Sequence, residues 1–222
     1  MKNYVEIDTE KIEFKNLLSG PAQVGRILNY IIYAGEGLLK HKPGNRNDNF
    51  ENYIGSAWCI EFMIGLGLVE LDSKIGDSNV YYIKLTQAGI KIYNILLENA
   101  ISPNFAHDSN PLNTLDYLKK KNALNIVNVF EEVFRDTVVF KDLCIFLDIN
   151  NYTEDFITLN MNKFKEDFFG ALKKFYTGED YIRNGEGAST ATNRVASFVQ
   201  MLEFLKYAKT EHGNILFNKK AI

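Results

Sequence analysis

Ala57-Trp58-Cys59-Ile60-Glu61-Phe62-Met63-Ile64-Gly65-Leu66-Gly67-Leu68-Val69-Glu70 is the stretch on which the reading of this chain turns. Together with the preceding Ile54, residues Ala57, Trp58, Phe62 and Leu66 recur at the spacing of one helical face. Gly65 or Gly67 ends that helix, because glycine takes the left-handed conformation that closes a helix without strain. A strand over residues 68–72 follows at once, then a polar turn over 73–79 and a second strand over 80–85. Thr86-Gln87-Ala88-Gly89 opens another helix, carried to about Asn99 by Ala88, Ile92, Ile95 and Leu96. The order is helix, glycine stop, hairpin, helix.

Upstream, Gly20-Pro21 starts a helix whose buried face is Val24, Ile27, Leu28, Ile31 and Ile32, and Gly35 and Gly37 stop it. Residues 1–19 form an arm expected to pack on this first unit. Residues 40–50, including Arg46, are a polar connection with a short helix expected near its end.

Downstream, two prolines bracket polar turn formers in residues 102–111, the expected linker. Helices are expected over 112–121 and 123–134, followed by an apolar run over 138–147. Residues 156–159 are either a short strand or the entry to the next helix. Residues 162–176 form an amphipathic helix with Phe164, Phe168, Leu172 and Phe175 on its apolar face. A long helix opens at Ser189 and gives way to a second hairpin around Glu211-His212-Gly213-Asn214. This repeats the order of the first stretch, with Met201-Leu202-Glu203-Phe204-Leu205 matching Ile60-Glu61-Phe62-Met63-Ile64 in kind.

Composition limits the function classes. With 222 residues, 46% hydrophobic and 24% charged, the chain is of ordinary globular composition, enough for one large or two small domains. Its net charge of −3 and pI of about 5.7 do not suit a protein that coats nucleic acid non-specifically, since phosphate binding rests on a basic surface. No apolar run approaches the roughly 20 residues needed to cross a bilayer, and the N-terminus lacks a signal-peptide apolar region. Cys59 and Cys144, both in apolar surroundings, are expected as reduced thiols in a cytoplasmic protein.

The helix-then-hairpin order at residues 53–89, and again at 189–217, resembles a tandem winged helix-turn-helix. Ser189-Thr190-Ala191-Thr192-Asn193-Arg194-Val195-Ala196-Ser197 is similar to the recognition helix of DNA-recognition regions in type II, particularly type IIS, restriction endonucleases. The resemblance covers about residues 21–97 and 162–217. It implies a mainly α fold with small β-hairpin wings (α+β), organised as two winged domains over residues 1–101 and 112–222. It also implies sequence-specific binding of double-stranded DNA. Thr190, Thr192, Asn193, Arg194 and Ser197 would occupy the base-reading turn of the second domain, with Arg194 able to pair bidentately with a guanine edge. Asn52, Tyr53 and Ser56 would hold the corresponding place in the first, although Asn and Ser equally favour a helix cap there. Arg46 and Lys74 are the candidate backbone contacts of that domain.

No catalytic, metal or cofactor motif accompanies these residues. His41, His107 and His212 are far apart, without cysteines or carboxylates at ligand spacing. The acid-x-Lys form that a restriction nuclease needs occurs as Glu13-Phe14-Lys15, with no convincing sheet around it. The chain therefore reads as the recognition part of a nuclease or as a transcription regulator. Its acidic balance also fits a winged-helix module that binds a protein partner.

Overall fold

The computed structural model describes residues 3–6, 24–41, 57–77, 79–102, 111–148, 154–178 and 187–222. For residues 6, 40, 41, 57, 58, 176, 177, 187–194 and 197 it describes the backbone alone. The described chain is α+β, with eight helices and two small sheets.

In the N-terminal half, β1 (Asn3–Glu6) precedes α1 (Val24–Gly35), β2 (Lys40–His41), α2 (Ala57–Gly65), β3 (Val69–Lys74), β4 (Val80–Leu85) and α3 (Gln87–Glu98). The sheet order is β2-β1-β4-β3. The N-terminal arm is thus more than a packing segment: β1 runs parallel to β2 and antiparallel to β4, with Tyr4 opposite both Lys40 and Tyr82. Buried Asn3 holds it there. Its Nδ2 donates to the Ala34 carbonyl at 2.8 Å, and its Oδ1 accepts from the Leu39 amide at 2.9 Å. Neither partner lies within thirty residues of it in sequence, which is why no local pattern marks this strand.

The helix-to-hairpin turn in the opening stretch is a closed Schellman cap. The Leu68 amide donates to Met63 O and the Gly67 amide to Ile64 O, each at 2.9 Å, with Gly67 at φ 68°. These two bonds satisfy the helix's last carbonyls and turn the chain into β3. Cys59, Ile60, Phe62, Met63, Leu66 and Leu68 are all buried. Helix α2 is therefore enclosed on most sides rather than amphipathic.

The C-terminal half contains α4 (Pro111–Lys120), α5 (Asn125–Arg135), α6 (Val138–Phe146), β5 (Phe156–Asn160), α7 (Met161–Thr177), α8 (Gly187–Phe204), β6 (Ala208–Glu211) and β7 (Asn214–Asn218). Residues 156–160 settle as a strand, pairing with β7 so that Ile157 faces Phe217 and Leu159 faces Ile215. The sheet order is β5-β7-β6. Asn160 ends β5 and caps α7, its Oδ1 accepting from the Lys163 amide at 3.1 Å.

Aromatic rings fill this half. Phe168 stacks on Phe164 and on Phe198, at 5.5 Å between centroids in both cases, while Phe134 meets Phe198 at 5.6 Å and Phe130 meets Phe204 at 5.6 Å. Phe175, expected on the buried face of α7, is 75% exposed. It falls one turn beyond Leu172, the last residue of that stripe to reach the core.

Candidate nucleic-acid interface

Helix α8 is 18 residues long. From Val195 onward its side chains enter the core: Val195, Phe198, Val199, Met201, Leu202 and Phe204 are all buried. Residues 187–194 extend the same helix by two turns, roughly 12 Å at 1.5 Å per residue. Thr190, Thr192, Asn193 and Arg194 lie on those turns, and Ser197 follows one turn later. The candidate base-reading residues are therefore carried on a continuous helix whose far end is fixed by packing against α7, α4 and β6.

The end of α8 repeats the turn of α2. Tyr207 N donates to Leu202 O at 2.8 Å and Lys206 N to Glu203 O at 3.0 Å, with Lys206 at φ 61°. Lys206 holds the position that Gly67 holds in the first half. The chain then enters β6 and the tight turn His212-Gly213, both residues at positive φ (49° and 77°), as a two-residue type I′ hairpin requires. The hairpin tip is tied to the start of α7, where Met161 N donates to Gly213 O at 2.9 Å. The second hairpin is therefore short and held at both ends.

Charge on the two hairpins is largely internal. Lys84 lies between Glu70 at 3.3 Å and Asp72 at 3.1 Å, and bonds from these carboxylates, Asp72 foremost, push its pKa up. In the second half Lys209 pairs with Glu211 at 2.9 Å and Lys220 with Asp155 at 2.8 Å. Pairs this exposed add little stability, but they lower the positive potential available to phosphate. Exposed Lys74 stands at the end of β3, with exposed Asp77 in the turn that follows. Lys206 and His212 are also exposed.

Beside α8 runs a cleft of about 600 Å³ lined by residues that include Pro111, Gln200, Glu203, Thr210 and Glu211. Thr210 Oγ1 donates to Glu203 there at 2.6 Å. Burial lowers the pKa of nearby Lys165, with the Glu203 charge opposing the shift.

Asn52, Tyr53, Ser56, Arg46 and the Glu13-Phe14-Lys15 triplet lie outside the described residues. Among the described residues, no group of three or more His, Cys, Asp or Glu side chains gathers as a metal site. No described helix is long and apolar enough to cross a membrane. Burial pushes the Cys59 thiol up to about 12, against a lesser lowering by Arg26, which makes it a poor nucleophile. Comparison with known protein families, curated proteins and solved structures returns no match.

Proposed function

We propose that the chain binds double-stranded DNA sequence-specifically through two winged helix-turn-helix units, as the recognition part of a restriction endonuclease or as a transcription regulator. One observation carries most weight. In the C-terminal half, α6, β5, α7, α8 and the β6–β7 hairpin follow one another with the sheet ordered β5-β7-β6. This is the order in which a winged unit presents the helix before its wing to a groove. The reading helix would be α8, with Thr190, Thr192, Asn193, Arg194 and Ser197 as hydrogen-bonding groups for base edges.

The N-terminal half is the supporting partner in this reading. Its α2 is enclosed over the described residues, and its hairpin holds Lys84 between Glu70 and Asp72. Base contact in that half would fall to Asn52, Tyr53 and Ser56, ahead of α2.

The neutralised hairpin lysines, with Ile145 on α6 76% exposed, favour a second reading in which the partner is a protein. Selection of bound duplexes from a randomised pool at moderate salt separates the two. Recovery of a shared motif is the expected result. A pool that emerges unenriched, or no retained duplex, would contradict DNA recognition and leave the protein-partner reading standing.

A further inference from the structure

We infer that the two halves act as one rigid reading head, so that the bound DNA site has a single fixed length and spacing. The inference rests on the DNA-binding proposal and adds what it does not contain, namely how the two units are coupled. The observation is the junction. Helix α3 packs against α5, and α1 packs against both α4 and α8. Buried Ile92 and Leu96 on α3, Ile126 and Phe130 on α5, and Leu115 and Leu118 on α4 belong to one core cluster that spans both halves of the described residues. At the edge of the α3–α5 contact, Lys91 approaches Glu132 at 3.6 Å. Small polar interfaces between domains permit relative motion, whereas a continuous apolar one holds them fixed.

Helix α4 bears most directly on recognition. It touches α1 of the first half and α8 of the second, so the helix that would read bases is braced by both. DNA then imposes the geometry. Each added base pair moves the contacts on its two sides apart by about 3.4 Å and turns them by about a tenth of a helical turn. Two units on a loose tether absorb such changes; a fixed pair does not. The fixed pair also fails at a ten-base-pair insertion, which restores the rotation but leaves roughly 34 Å of extra separation.

The test uses the full chain and a duplex recovered by selection, with the two contacted segments located by footprinting. Insertions of one, five and ten base pairs are placed between them. Each is expected to weaken binding by at least about tenfold, the effect of a lost 1.4 kcal/mol. Change of less than threefold at every insertion, or recovery at ten, would overturn the fixed spacing while leaving DNA binding intact. Failure of any duplex to bind would instead remove the DNA proposal itself, and the inference with it. Rigidity is also measured without DNA, from spin labels at Asn79→Cys and Lys163→Cys in a Cys144→Ser background. One narrow distance distribution is expected; a broad or multiple one would contradict the rigid head.

Discussion

The Thr86 hydroxyl donates to the Gly67 carbonyl at 2.6 Å and accepts from the Gly89 amide at 3.2 Å. One side chain thereby caps α3 and fastens it to the turn between α2 and β3. Thr86→Ala is expected to cost about 1–2 kcal/mol, as losing a cap usually does. Gly89→Ala should cost more, because its Cβ would run into the Leu68 carbonyl oxygen, a backbone atom that cannot swing aside. Urea unfolding of both variants checks the order. A Gly89→Ala protein as stable as wild type would contradict the packing described.

Gly67 and Lys206 occupy equivalent turns, both left-handed, and only one of them is glycine. Lys206→Gly should stabilise the protein by up to about 1 kcal/mol by relieving the cost of a left-handed side-chain-bearing residue. Gly67→Ala should destabilise it by about 1–2 kcal/mol through the same cost, since no neighbouring atom crowds the position. Thermal melts of the two variants should move in opposite directions.

Alkaline pH should unfold the chain early. The Cys59 thiol is pushed up to about 12 in the folded state by burial, and burial followed by the Glu131 hydrogen bond also raises Tyr207. A group whose pKa is raised on folding contributes full stability below its unfolded pKa and loses it as pH rises toward the folded value. For Cys59 that window runs from about 9 to about 12, with a slope of roughly 1 kcal/mol per pH unit. Urea midpoints at pH 7, 9 and 10.5 should therefore fall in that order. Cys59→Ala should flatten the decline.

Salt should weaken DNA binding only modestly. The lysines of Lys84, Lys209 and Lys220 are already held by carboxylates within the protein. Fewer than about four phosphates should be neutralised, giving a log–log slope shallower than about −4. Titrations between low and moderate salt measure it. A slope near −8 would mean that those pairs open on binding and that phosphate contact dominates.

Much of this architecture is legible in local sequence. The closing turn at Gly65-Leu66-Gly67, the helix start at Thr86 and the His212-Gly213 hairpin each depend on residues within a few positions. The placement of β1 does not: it depends on Asn3 reaching Ala34 and Leu39. Likewise Arg135 donates to the Ala221 and Ile222 carbonyls, and its guanidinium lies 5.2 Å from the Tyr207 ring centroid. Contacts of that kind leave no periodic trace. The candidate site is legible as residue types, Thr190, Thr192, Asn193 and Arg194, that fall together on the first turns of α8.

Arg194→Ala, measured against the selected duplex and against duplexes substituted at each base pair, tests the central claim most directly. The account predicts a loss of roughly 1–3 kcal/mol together with relaxed preference at one base pair. Unchanged affinity, or equal weakening on every sequence, would contradict base reading from the first turns of α8.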